Sequence, residues 1–121
     1  MDFKTLSVII PCYNEECTLE TIVGHVLKAE RLDLDLEIVI VDDGSTDRSV
    51  AVMNALAERH PEIACHVHGV NRGKGAALRT GFQKAAGDIV LVQDADLEYS
   101  PNDYPKLLRP IVDGRADVVF G

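Results

Sequence analysis

Cysteine is scarce in this chain of 121 residues, with three in all. Cys12, Cys17 and Cys65 are too few and too irregularly spaced for a disulfide framework, and they form no C-x-x-C pair. That composition fits a reducing compartment and a cytoplasmic location. No apolar run approaches the roughly 18 residues of a membrane span. The opening residues Met1-Asp2-Phe3-Lys4 lack the basic and apolar regions of a secretory signal. Positive charge is also in short supply: 12 Lys and Arg stand against 20 Asp and Glu, for a net charge of −8. Non-specific nucleic-acid binding is therefore excluded. An acidic protein that handles a phosphorylated ligand needs a cation to bring the two together. Repeats, low-complexity stretches and linkers are absent, and the length bounds the chain at one domain.

What the chain does have is an acidic strand end at residues 88–101, DIVLVQDADLEYSP. Ile89, Val90, Leu91 and Val92 are apolar and mostly β-branched, as in a strand buried on both faces. Gln93 follows, then Asp94 and Asp96. Side chains at i and i+2 of an extended segment point the same way, so both carboxylates leave the strand on one face. Two converging carboxylates repel unless a cation lies between them. A hard divalent ion with oxygen ligands, its shell completed by phosphate oxygens, suits that place. In a random loop Asp-x-Asp is merely a solvated turn. At the C-terminal end of a buried strand, where open α/β sheets put their ligands, the metal reading is the stronger.

Strand and helix signals alternate along the whole chain. Residues 6–10 form an apolar strand closed by Pro11. A helix opens at Asn14-Glu15-Glu16, with Leu19, Ile22, Val23, Val26 and Leu27 at helical spacing. Residues 37–41 form a second strand ending at Asp42-Asp43-Gly44-Ser45. The next helix is capped by Ser45 or Thr46, has Asp47 in its first turn, and turns Val50, Met53 and Leu56 inward. A third strand spans 63–67, and a third helix spans 73–86, stopped by Gly87 in a left-handed conformation. A strand at 88–92 precedes a helix near 103–113, which Pro110 should break or kink. A last strand at 116–120 runs to Gly121. The expected fold is α/β: a doubly wound, mostly parallel, Rossmann-like sheet with helices on both faces. A final strand with no covering helix reads as a domain cut short at its C-terminus.

Three strand ends should bring polar groups to one sheet edge: Pro11-Cys12-Tyr13-Asn14-Glu15, Val41-Asp42-Asp43-Gly44-Ser45 and Gln93-Asp94-Ala95-Asp96. Tyr13 can stack on a planar base, and Asp43 can accept hydrogen bonds from N–H groups of uracil or guanine. Each motif alone is ordinary turn or cap chemistry; all three at one end of consecutive parallel strands are hard to explain that way. Asn71-Arg72-Gly73-Lys74-Gly75 adds two cations and two glycines at a helix start, a place suited to anions.

PCYNEE, IVIVDDGSTD, NRGKGAALRTGF and VLVQDADLEYSP, in that order, resemble the N-terminal half of a family 2 glycosyltransferase with the GT-A fold. The form DADLEYSP is similar to the polyprenyl- and dolichyl-phosphate hexosyltransferases. Glu98 stands where that group has a metal-coordinating Gln. The resemblance implies that residues 1–121 are the nucleotide-sugar-binding part of the domain. It places nucleotide contacts at Pro11, Tyr13, Glu15, Val41, Asp43 and Lys74, with Ala95 against ribose or phosphates. It gives Asp94, Asp96 and Glu98 to a Mg2+ or Mn2+ ion, with Asp94 nearer the sugar and Asp96 the more direct ligand. The implied reaction is single-displacement, inverting transfer from a GDP-mannose or UDP-glucose type donor to a polyprenyl or dolichyl phosphate. A saccharide acceptor is the alternative. The full-length protein would touch the cytoplasmic face of a membrane peripherally, and the 121-residue chain alone would bind donor without transferring sugar. The oligomeric state is open.

Two other functions fit less well. A receiver-type phosphoacceptor module would carry its paired acids after strand one and a lysine after the last strand; here the pair follows strand two. A sugar nucleotidyltransferase would open with a Gly-rich triphosphate loop, where this chain has Pro11-Cys12-Tyr13-Asn14. His66 and His68 read as a solvent-facing pair rather than a metal site, His25 and His60 as helix-surface residues, and Cys12 and Cys17 as buried packing residues rather than nucleophiles.

Overall fold

A computed structural model describes residues 3–95 and 104–112. The described chain runs β1 (Thr5–Cys12), α1 (Leu19–Lys28), β2 (Asp35–Asp43), α2 (Ser49–Arg59), β3 (Ile63–His68), α3 (Lys74–Lys84), β4 (Ile89–Val92) and α4 (Tyr104–Val112). The strands form one parallel sheet in the order β3-β2-β1-β4. The alternation of elements in the sequence is therefore the doubly wound arrangement it predicts. The expected strand at 116–120 lies outside the described residues.

The sheet order fixes which face each helix covers. Steps from β1 to β2 to β3 move one way across the sheet; the step from β3 to β4 crosses back over both. Right-handed crossovers then place α1 and α2 on one face and α3 on the other. The core divides accordingly. Leu6, Val8, Ile10, Ile38, Ile40, Ile89 and Leu91 pack with α1, α2 and α4, while Ile9, Val39 and Val41 pack with Ala77 of α3. Strand alternation thus assigns every residue near the strand ends to a face. Pro11 and Asp43 fall on the α3 side, Cys12 and Asp42 on the other. The change of direction between β1 and β4 opens the crevice in which such sheets bind ligands.

Several elements differ from the sequence reading for identifiable reasons. Strand β1 passes through Pro11 to Cys12, paired with Val41 and Asp42. Ile9 O accepts a hydrogen bond from Gln93 N–H (2.8 Å), so the donor that Pro11 lacks would point to the same side, past the last β4 pair. Helix α1 begins at Leu19, not at Asn14, because Asn14 adopts φ 53° and the segment after it is held by the next loop. Helix α2 starts at Ser49, and its leading amide is capped by Asp47, whose Oδ1 accepts the Ser49 N–H (2.9 Å), not by Ser45 or Thr46. Helix α4 continues past Pro110 to Val112, with Pro105 in its first turn, where a missing amide costs nothing.

Gly87 does not terminate α3 in a left-handed conformation. The helix ends at Ala85 in extended geometry, and Gly87 has no positive φ. A Cβ there would lie 2.5 Å from Ser7 Oγ and 2.8 Å from Ser7 N, so the glycine permits a close approach to β1. Ser7 Oγ accepts the Gly87 N–H (2.8 Å) and donates to Glu37 Oε1 (2.7 Å), which also accepts the Ala86 N–H (2.9 Å). Two side chains from β1 and β2 thereby fix the turn that launches β4.

Candidate functional site

Three loops at the C-terminal edge of the sheet are joined by side chains of the sequence motifs. Asn14 Oδ1 accepts the N–H groups of Thr46 (2.8 Å) and Asp47 (3.3 Å), while its own N–H donates to Ser45 Oγ (2.9 Å). Glu15 N–H donates to Ser49 Oγ (2.9 Å), and Glu16 N–H to Asp47 Oδ2 (3.2 Å). Asn is among the few residues that tolerate the left-handed conformation this clamp requires. Asp42, fully buried, turns inward and accepts both the N–H and the Oγ–H of Ser45. Much of PCYNEE and DDGSTD is thus scaffold.

Asp43 joins the third loop. Its Oδ1 accepts the Arg72 N–H (2.8 Å) and faces His68 Nδ1 (3.1 Å); its Oδ2 accepts the Gly73 N–H (2.9 Å). Burial by itself would raise the pKa of this carboxyl. The Arg72 amide, His68 and the Gly73 amide outweigh burial and hold it below the ordinary aspartate range. His68 is the cross-strand partner of Asp43, so both side chains stand on the α3 face, and its Nε2 lies 2.9 Å from Thr80 Oγ1. The expected solvent-facing histidine pair is therefore wrong. His68 is buried, and His66 is half-buried with its pKa lowered, chiefly by burial and then by Lys84. Strand β3 is the outermost strand on its side among the described residues, yet Thr80 and Lys84 of α3 reach the face that carries both rings.

Pro11, Cys12, Tyr13, Glu15, Asp43, Lys74, Ala77, Asp94 and Ala95 line one open cleft of about 250 Å3. It lies at the change of direction between β1 and β4. Tyr13 offers an exposed ring at its mouth. Lys74, the first residue of α3, places Nζ 2.6 Å from Asp94 Oδ1. Thr18 Oγ1 lies 2.6 Å from Ala95 O and 2.9 Å from Glu15 Oε2, joining the β1–α1 loop to the end of β4. Gln93 is buried on the opposite side, where its Oε1 accepts the Tyr104 O–H (2.9 Å).

Of the residues expected at the site, Pro11, Tyr13, Glu15, Asp43, Lys74, Asp94 and Ala95 meet in this cleft. Val41 is fully buried beneath it and does not line it. Asp96 and Glu98 lie outside the described residues. Of the cysteines, Cys12 is buried, with its thiol pushed up to about 11 chiefly by burial, whereas Cys17 is exposed and not the packing residue expected. Sequence reasoning missed His68, Thr80 and Thr18. The pairing of His68 with Asp43 depends on strand register, and that of Thr18 with Ala95 on a contact 77 residues apart. No local pattern carries either signal.

Among the described residues no group of three or more His, Cys, Asp or Glu is placed to hold a metal. The chemistry of the Asp94 end nevertheless suits a cation. Its largely shielded carboxylate already faces an ammonium group, and its donors are the hard oxygens that Mg2+ and Mn2+ prefer.

The model of glycosyl transferase family 2 matches residues 7–121. The chain belongs to glycosyl transferase family 2. Its relatives include two undecaprenyl-phosphate 4-deoxy-4-formamido-L-arabinose transferases. That of Pectobacterium carotovorum is 39% identical over 98% of this chain and 36% of its own length. That of Pseudomonas paraeruginosa is 42% identical over 94% of this chain and 34% of its own length. The chain thus spans about a third of the curated relatives it matches. Among solved structures, a mannosyltransferase from Pyrobaculum calidifontis in complex with GDP-Man and Mn2+ superimposes with a TM-score of 0.72 and 32% identity, over 85% of this chain and 30% of that one. Glucosyl-3-phosphoglycerate synthase from Mycobacterium tuberculosis, in complex with Mn2+, UDP and glucosyl-3-phosphoglycerate, gives 0.71 and 29%, over 92% and 40%. The family 2 chain therefore has a parallel α/β sheet of the GT-A type.

Proposed function

We propose that this chain is the donor-binding part of an inverting glycosyltransferase that moves a sugar from a nucleoside diphosphate to a polyprenyl phosphate. The observation that carries the reading is the convergence of Tyr13, Glu15, Asp43, Lys74, Asp94 and Ala95 in one cleft at the switch point of the sheet. Tyr13 stacks on the base, Asp43 accepts its N–H, and Lys74 pairs with the diphosphate. Asp94, with Asp96 and Glu98 beyond it, holds a Mg2+ or Mn2+ ion. The bound metal supplies Lewis-acid neutralisation of the leaving diphosphate. The hydrogen bonds of Asn14 and Ser49 tie the Tyr13 loop to the loop after Asp43. Thr18 joins the first loop to Ala95, and Asp43 joins the start of α3, which favours a fixed geometry for the donor. An acceptor phosphate is already anionic, so positioning matters more than a base to deprotonate it.

The acceptor class rests on the names of the curated relatives, which are undecaprenyl-phosphate transferases. A non-lipid acceptor is the second reading, favoured by the likeness to glucosyl-3-phosphoglycerate synthase. Titration calorimetry of the 121-residue chain with nucleoside diphosphates, with and without Mn2+, tests the donor site. Metal-dependent binding that Asp96→Asn abolishes is the expected result; equal affinity in the folded variant would remove Asp96 from the metal. A transfer assay with the full-length protein, offering undecaprenyl phosphate beside 3-phosphoglycerate, separates the two acceptor classes.

A further inference from the structure

We propose that His68 is a specificity-determining residue which, by occupying one oxygen of Asp43, makes the cleft select a uracil nucleotide over a guanine nucleotide. The inference rests on the nucleotide-site reading above and deepens it. An ionised carboxylate accepts about two hydrogen bonds at each oxygen. Asp43 Oδ1 already has both: the Arg72 N–H at 2.8 Å and His68 Nδ1 at 3.1 Å. Oδ2 has one, the Gly73 N–H at 2.9 Å. A single acceptor direction is left, on Oδ2, and the small part of Asp43 that remains accessible borders the cleft.

That vacancy suits one kind of base edge. The imide of uracil offers one N–H between two carbonyl groups. The equivalent edge of guanine offers two adjacent donors, the ring N–H and the amino group, which pair in parallel with both oxygens of a carboxylate. With Oδ1 filled, the second guanine donor is left unpaired in a partly buried site, and that is how polar sites discriminate between ligands.

The geometry also assigns the proton on His68. Asp43 can only accept, so Nδ1 carries hydrogen and donates. Nε2, on the far side of the ring, lies 2.9 Å from Thr80 Oγ1, a hydroxyl that can donate or accept. Thr80 on α3 thus holds the ring in the orientation that blocks Oδ1. His68 does not touch the ligand; it acts through Asp43.

The test is calorimetric titration of UDP and GDP, each with Mn2+, into the wild-type chain and into His68→Leu, His68→Asn and Thr80→Val. The wild type is expected to bind UDP about tenfold or more tighter than GDP, the order set by one unpaired polar group. His68→Leu frees Oδ1 and should bring the ratio towards one. His68→Asn keeps a donor near the Nδ1 position and should retain most of the preference, which a merely structural role would not predict. Thr80→Val removes the partner that holds the ring in place against Oδ1 and should lower the ratio even if His68→Leu fails to fold. Equal wild-type affinities, or variants that weaken both nucleotides with the ratio unchanged, would overturn the assignment to His68. If neither nucleotide bound the folded wild type, the nucleotide site itself would be wrong, and this inference with it.

Discussion

Lys74 Nζ lies 2.6 Å from Asp94 Oδ1, so the first residue of α3 and the end of β4 meet as an ion pair across the cleft. The two come from opposite walls of the switch-point crevice. The lysine side chain is 60% exposed and the aspartate 17%. A pair so open to solvent adds little to stability, about 0–1 kcal/mol before screening. Its importance lies in keeping a positive charge beside a carboxylate that metal and diphosphate would share.

Lys74→Ala should therefore leave the fold within about 0.5 kcal/mol of wild type. Nucleoside diphosphate affinity should fall roughly tenfold, the worth of one charged hydrogen bond. Without nucleotide, Mn2+ should bind the variant at least as well as wild type, because the competing ammonium is gone. Urea denaturation and Mn2+ titration followed by electron paramagnetic resonance measure the two effects separately. Unchanged diphosphate affinity would remove Lys74 from the phosphate site.

Asp43→Ala should cost stability as well as binding. Three donors, from His68, Arg72 and Gly73, lose their acceptor, and the expected loss is about 2–3 kcal/mol. The pH dependence has a definite sign. The folded pKa of Asp43 is depressed, so its contribution is present above the unfolded value of about 3.9 and disappears as pH falls through the folded value. The stability gap between wild type and Asp43→Ala should thus shrink as pH falls through the folded value of Asp43. Urea melts at several pH values give the curve; a gap that widened in acid would contradict the assigned charge state.

Gly87→Ala should destabilise the protein by about 1–3 kcal/mol through overpacking. The backbone at Gly87 is open to any residue, but a methyl group would press on Ser7 Oγ and Ser7 N. Thermal unfolding of the variant checks this. An unchanged midpoint would show that β1 and the turn before β4 can separate without penalty.

Alkylation should separate the cysteines. Cys17 is exposed, whereas burial holds the Cys12 thiol at about 11 and also raises Cys65. Iodoacetamide at pH 8 should label Cys17 first, with Cys12 reacting only as the chain unfolds. Peptide mass spectrometry over a time course resolves the order, and early labelling of Cys12 would mean that the bottom of the cleft opens readily.

Periodicity and turn chemistry by themselves determined the succession of strands and helices and the α/β class. The four strands of the described residues, spaced by helical segments, have few other ways to bury their faces. The same local order determined that Tyr13, Asp43, Lys74 and Asp94 belong at strand ends or helix starts, because each follows or opens an apolar run. Only the tertiary structure decided which strands are neighbours, and so which of these residues meet. The order β3-β2-β1-β4 puts the end of β1 beside that of β4, and the register of β2 with β3 sets His68 against Asp43. It also turned Asp42 and Gln93 inward and left Val41 beneath the cleft. Pairing register and crossover direction are fixed by packing between segments far apart in the chain. A one-residue slip would exchange the faces of β2 while leaving its local sequence signals unchanged.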